Sequence, residues 1–223
     1  MIVRHSEPVL LVGGGVVTPA QLRRAQSFCD VAVAADGGAE ALMSGDIMPD
    51  AVIGDFDSIS DTARAAIPQD RLHAIAEQDS TDFDKCLRNI DAPLVIGLGF
   101  GGARLDHELA AFNTLVRRPE RRCLLLGQDN IAFLAPPALH LPLEAGTPVS
   151  LFPMAAVEGV SDGLHWPIAG LNFTPDGQIG TSNMATGDVS LNFTTPKMLL
   201  LLPQTCFELA VRALQDTRPS WSR

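Results

Sequence analysis

The chain has 223 residues, 46% of them hydrophobic, and 26 Asp and Glu against 16 Lys and Arg leave a formal net charge of −10. That length suits one large domain or two small ones with a real core. The cations form no stripe along the sequence, which argues against a nucleic-acid backbone as partner, because such binding relies on clustered Lys and Arg. A nucleotide remains admissible if a metal ion neutralises its phosphates, as does a cationic small molecule. Cys29, Cys86, Cys123 and Cys206 are scattered with no CxxC pair, so neither a zinc site nor a disulfide framework is expected. The apolar N-terminal run is cut by three glycines, and Met198–Pro203 is far shorter than the ~20 residues of a membrane span. The expectation is a cytoplasmic protein.

Up to about residue 135, short apolar runs alternate with helix-like stretches. PVLLV (8–12), VAVAA (31–35), DAVIG (50–54), LVIGLG (94–99) and RCLLLG (122–127) read as strands buried on both faces, the pattern of a parallel sheet. Helices are predicted over 19–29, 37–45, 60–67, 80–91 and 105–117. In the last, Leu105, Leu109, Phe112 and Leu115 or Val116 recur near the 3.6-residue period of a core-facing stripe. The alternation predicts an α/β/α layer domain over 1–137. APPALHLP (135–142) reads as a linker. Beyond it, 148–154, 163–169, 188–194 and 197–203 read as short strands, with turns at TPDG (174–177) and ATGD (185–188). A small antiparallel β-sandwich over 138–223 is predicted. The tail from Gln204 adds a helix through Phe207, Ala210, Val211 and Leu214.

In an open parallel sheet, ligands bind beyond the carboxyl ends of the strands. Gly13–Gly15, Asp36-Gly37-Gly38, Asp55-Phe56-Asp57-Ser58 and the segment from Gly101 to His107 all fall there. As a turn, DFDS needs no function. In extended backbone, Asp55 and Asp57 would share one side while Phe56 pointed into the core. Two carboxylates ~4 Å apart repel by about 4 kcal/mol at an effective dielectric of ~20, so they want a cation, and hard oxygen ligands suit Mg²⁺. In QDSTDFDKCL (78–87), Ser80 or Thr81 can cap a helix and Asp82 suits its first turn. Lys85 stands three residues on, on the same face; the pair is either a surface ion pair or part of the crevice. Gly101, Gly102 and Arg104 suit an anion, while Asp106 and His107 have equally plain readings as helix-start residues.

AADGGA (34–39), PDAVIGDFDSI (49–59), DSTDFDKCL (79–87) and GARLDH (102–107), in this order, resemble the thiamin pyrophosphokinase family, as do DGLHWPI (162–168) and TSNMATGD (181–188). The resemblance runs to Pro203. It implies an α/β catalytic domain and a β-sandwich thiamin-binding domain, in a homodimer with sites at the subunit interface. The implied reaction moves pyrophosphate from ATP to the thiamin hydroxyl. By that resemblance Asp55, Asp57 and Asp82 hold Mg²⁺, and Lys85 and Arg104 cancel phosphate charge. Asp106 orients or deprotonates the hydroxyl, or faces the thiazolium. Asp36, Gly37, Gly38, Thr81, Arg104 and His107 are placed at the nucleotide, and Trp166, Ser182 and Asn183 at thiamin. The plain alternative for Trp166 is a core position. Ala103 replaces a glycine frequent in the family, and the tail 204–223 has no family counterpart. The rival functions are a catalytically silent thiamin or nucleotide sensor and another DxD enzyme of Mg²⁺-dependent phosphate chemistry.

Overall fold

The computed structural model describes residues 1–102, 104–218 and 220–222, so the Ala103 substitution lies outside the described residues. Two compact units are present: residues 1–114 with 125–127, and residues 115–124 with 128–223.

The first unit runs β1 (Val3–Arg4), β2 (Val9–Val12), α1 (Pro19–Gln26), β3 (Val31–Ala35), α2 (Gly38–Ser44), β4 (Ala51–Gly54), α3 (Asp61–Ala66), β5 (Leu72–Ala74), α4 (Asp82–Asn89), β6 (Ile90–Asp91) and β7 (Val95–Leu98). Helix α5 (Leu105–Arg117) and strand β8 (Cys123–Leu126) follow, and the division between units falls within both. Strands β7, β2, β3, β4 and β5 lie side by side in that order, all parallel. Every residue of β2, β4 and β7 is buried, as the unbroken apolar runs predict for a sheet covered on both faces. β1 and β6 make a separate parallel pair.

The helices start where their capping chemistry dictates. Thr18 accepts from the Gln21 amide at 3.2 Å while Gln21 Oε1 accepts from the Thr18 amide at 3.0 Å, a capping box completed by Pro19 at the first helical position. Thr81, rather than Ser80, caps α4 by accepting from the Asp84 amide. Helix α5 spans 105–117 as predicted, but its stripe does not face the core throughout. Leu105 and Leu109 are 67% and 54% exposed, and burial begins at Ala111.

The second unit holds β9 (Asn130–Leu134), β10 (Ala138–Leu141), β11 (Pro148–Pro153), β12 (Val157–Leu164), β13 (Asn172–Phe173), β14 (Gly180–Phe193), β15 (Met198–Pro203) and α6 (Phe207–Asp216). Its strands pair antiparallel, β10, β11 and β12 with β14, β15 with β11 and β9, and β13 with β12. β14 serves two sheets: its first half pairs with β11, and its second with β10 and β12. A strand passing from one sheet to the other is how a sandwich turns its corner. Three sequence expectations give way here, the first being the strand read over 163–169, of which only Gly163 and Leu164 belong to a strand, β12. The segment read as a linker contains β10, whose alternating Leu139 and Leu141 are buried. ATGD is no turn but the middle of β14, because its neighbours pair on either side, with Gly187 absorbing the irregularity at φ 152°. TPDG does turn, with Gly177 N–H donating to Thr174 O. The tail helix buries Phe207, Ala210, Val211 and Leu214, as its spacing predicts.

Candidate active site

The carboxyl ends of β2, β3 and β7 open onto a cleft of about 850 Å³, lined by Gly13–Val16, Asp36, Gly37, Glu40, Ser58, Thr81, Asp82, Phe100, Arg104 and His107 among others. Asp36 directly follows β3 with φ 42°, a left-handed backbone that Asp tolerates better than most residues. Its buried carboxylate accepts from Ser58 N–H and Ile59 N–H, both at 3.0 Å. Asp36 thereby pins the DFDS segment to the end of the neighbouring strand. Burial, the neighbouring Asp57 and the charge of Asp82 outweigh those two amides and push its carboxyl up to about 6.

DFDS itself departs from the extended reading. β4 stops at Gly54, and Phe56 adopts φ 65°. Its half-buried ring lies under Arg64, 5.3 Å from the guanidinium carbon, rather than in the core. Asp55 and Asp57 still converge, through a turn and not through strand alternation. Ligand oxygens of Asp36, Asp55 and Asp57 lie within 4.8 Å of one another. Asp55 Oδ1 is buried without a hydrogen-bond partner. An orphaned carboxylate oxygen among clustered acids is what a hard cation would satisfy, so the residues fit a divalent metal.

Asp82 stands differently. Lys85 Nζ donates to Asp82 Oδ1 at 3.0 Å and to Asp55 Oδ2 at 3.1 Å, and the lysine side chain is only 2% exposed. The i,i+3 spacing therefore makes a buried charge bridge, not a surface pair. Partial burial would raise the Asp55 carboxyl, but hydrogen bonds from Lys85 and Gln78 and the lysine charge hold it below the usual range. Burial likewise opposes the Lys85 ammonium, and its two carboxylates overcome this and raise it. Gly54 permits the crowding: a β-carbon there would lie 2.9 Å from Asp36 Cβ and 3.3 Å from Asp82 Oδ1. The sequence reading assigned no role to Gln78, Ser58 or Ile59. Gln78 opens the quoted QDSTDFDKCL segment, but its reach to Asp55 depends on the fold.

Arg104 and Asp106 are held by each other, at 2.6 Å, and both are about two-thirds exposed. The hydrogen bond and charge of Asp106 raise the guanidinium, and those of Arg104 keep the carboxylate low. Arg104 and His107 line the cleft, while Asp106 reaches it through Arg104. Asp106 lies inside the first turn of α5 and not at its cap.

In the second unit, Asn183 is buried and clamps the 165–167 loop. Its Oδ1 accepts from Trp166 N–H at 3.2 Å and its Nδ2 donates to Trp166 O at 2.7 Å. Trp166 is 56% exposed, edge-on to His165, which removes the core reading of that residue. Gly163 makes the bend ahead of it, with φ 79° and a missing β-carbon that would sit 1.9 Å from Asp188 O. Ser182 is exposed at φ 63°, its amide donating to Ser150 Oγ.

A parallel α/β unit with an acidic, glycine-lined cleft past its strand ends, joined in one chain to an antiparallel β unit, defines a two-unit protein with a small-molecule site where open parallel sheets place theirs. Residues 22–125 match the family model for the catalytic domain of thiamin pyrophosphokinase, and residues 138–200 match the model for its vitamin B1 binding domain. The chain belongs to the thiamin pyrophosphokinase family. Thiamine pyrophosphokinase 3 of Oryza sativa subsp. japonica is 28% identical over 188 residues, 69% of this chain and 70% of the relative. Thiamine pyrophosphokinase 2 of Arabidopsis thaliana is 29% identical over 161 residues, 63% of this chain and 60% of its own. The fold superposes on thiamin pyrophosphokinase from Candida albicans with a TM-score of 0.76 at 18% identity, covering 89% of each chain. The yeast enzyme gives a TM-score of 0.73 at 17% identity, covering 96% of this chain and 89% of that one.

Proposed function

We propose that the chain transfers the β,γ-pyrophosphoryl group of ATP to the hydroxyl of thiamin, giving thiamin diphosphate and AMP. The observation that carries this reading is the convergence of Asp36, Asp55 and Asp57, with one orphaned oxygen on Asp55, in the unit matched by the family's catalytic model. In the transfer, the thiamin oxygen bonds to the β-phosphorus while the bond from that phosphorus to the bridging oxygen breaks and AMP leaves. The hydroxyl proton passes to a base. Such transfers need positioning and charge stabilisation more than covalent help.

Asp55 and Asp57 would hold Mg²⁺ together with Asp36, and Asp82 would serve as an outlying carboxylate tied to Lys85. Magnesium bound there supplies positive charge against the phosphate oxygens. Lys85 holds Asp55 and Asp82 in place through its two hydrogen bonds, a positioning role alongside charge cancellation. Arg104 is assigned to the pyrophosphate, with Thr81, Gly37, Gly38 and His107 along the nucleotide. Asp106 either takes the hydroxyl proton or faces the thiazolium, in both cases from its place beside Arg104. Residues 1–137 carry catalysis in this reading, and 138–223 carry thiamin binding through Trp166, Ser182 and Asn183. The exposed indole held by Asn183 suits a cationic ring. The working form is a cytoplasmic homodimer with sites at the subunit interface. Among the described residues no helix is long and apolar enough to cross a membrane.

The test is incubation with ATP, thiamin and Mg²⁺, with products resolved by chromatography. AMP and thiamin diphosphate in equal amounts, abolished by EDTA, is the expected result. ADP with thiamin monophosphate would refute the attacked phosphorus. Thiamin binding without product would favour the silent sensor.

A further inference from the structure

The triglycine Gly13–Gly15 follows β2, and the proposed chemistry uses none of it. Its three members are not equivalent. A β-carbon at Gly13 would lie 2.6 Å from the Phe100 ring and 2.8 Å from Gly99 O. At Gly15 it would lie 2.6 Å from Gly99 O. The amides of both are spent within the fold: Gly13 N–H donates to Leu98 O and Gly15 N–H to Gly99 O. These two glycines exist so that the loops after β2 and β7 can touch backbone to backbone.

Gly14 has no such reason to be glycine. Its φ is not left-handed, and a β-carbon there meets nothing closer than Gly37, at 3.8 Å. Its amide has no partner among the described residues. Neither backbone conformation nor internal packing excludes alanine. The residue is nevertheless exposed on the wall of the cleft that also carries Arg104 and His107. A bare backbone with an unspent donor, at a position where the chain itself leaves room for a side chain, has the chemistry of close approach by an anionic oxygen.

We propose that Gly14 is a contact residue for the polyphosphate of the nucleotide, its amide donating to a phosphate oxygen and its missing side chain leaving the space that oxygen needs. This rests on the ATP-dependent reading of the same cleft. Gly13 and Gly15 act on the loop's shape alone.

The test compares wild type with Gly14→Ala, Gly14→Val and Gly13→Ala. It measures thermal midpoints, KM for ATP and for thiamin, and binding of a non-hydrolysable ATP analogue. Gly14→Ala is expected to keep the wild-type midpoint and thiamin KM while raising the KM for ATP and the analogue Kd about tenfold, the scale of one hydrogen bond to a charged group. Gly14→Val should weaken ATP further, again without loss of stability, whereas Gly13→Ala should lower the midpoint. Wild-type affinity for ATP and the analogue in Gly14→Val would overturn the proposal. So would a rise in the thiamin KM alone, or a fall in midpoint at Gly14 matching that at Gly13. Should wild type bind the analogue yet form no thiamin diphosphate, the reaction assignment fails while the binding comparison still decides Gly14. Wild type that binds no triphosphate would overturn both.

Discussion

Replacing Lys85 by Met isolates the buried charge bridge. The ammonium sits 3.0 and 3.1 Å from two carboxylates and is 2% exposed. The gross attraction at such distances, at an effective dielectric of ~20, is about 5 kcal/mol per pair, most of it offset by desolvation. Removing one partner of a buried pair costs about 3–5 kcal/mol because the other charge stays behind unpaired. Asp55 and Asp82 keep 15% and 31% exposure, and Asp55 keeps Gln78, so the low end applies: about 3 kcal/mol at pH 7. The pH dependence has a definite sign. The Asp55 carboxyl lies below its ordinary value, so its contribution is present above the unfolded pKa and disappears as pH falls through the folded one. Lys85 lies above its ordinary value, so its share persists until the pH rises through that raised value. Urea denaturation of both proteins in EDTA, at pH 7 and below the ordinary Asp value of about 3.9, reads this out. The penalty for Lys85→Met should be largest at pH 7 and shrink in acid, where Asp55 no longer needs a cation. An equal penalty at both pH values, or none at pH 7, would refute the charge-bridge reasoning and leave only a packing effect.

Three further outcomes follow from the same geometry. Asp57→Asn, at an exposed position, should leave the urea midpoint unchanged and lower kcat by at least about 100-fold, the loss typical of a removed charge-stabilising group; near-normal turnover would sink the metal assignment. Asn183→Ala removes both hydrogen bonds to the Trp166 backbone. It should cost about 1–3 kcal/mol and raise the thiamin KM without changing that for ATP, measured by steady-state kinetics beside thermal melts. Light scattering at micromolar concentration should give a dimeric mass, and a fully active monomer would contradict the shared-site reading.

Local chemistry was legible wherever one segment sufficed. The parallel strands β2, β3, β4 and β7 announced themselves as unbroken apolar runs because both faces are covered, whereas β5, a three-residue strand with no buried residue, gave no such signal. The caps at Thr18 and Thr81 and the tail helix through Phe207 and Leu214 likewise depend on neighbours a few residues away. The carboxylates at the strand ends were legible too, since the apolar run before them and the like charges after it are adjacent in sequence. β10 was missed because two prolines open its segment, and only pairing with β14 makes it a strand.

What the sequence by itself determined is the order of the helices and of the buried strands β2, β3, β4, β7 and β8, the placement of polar residues at one end of the sheet, and the family. Tertiary structure alone decided which charges meet. Asp36 joins Asp55 and Asp57 because β3 and β4 run side by side, ending at the same level. Lys85 is buried because α4 packs on that sheet, and its partner across 30 residues is invisible to helical spacing. Phe56 turns away from the core because the two amides after the DxD motif are captured by a carboxylate from another strand. A sequence pattern reports periodicity along the chain. Register between strands, and hence the geometry of a site at their ends, comes from packing across it.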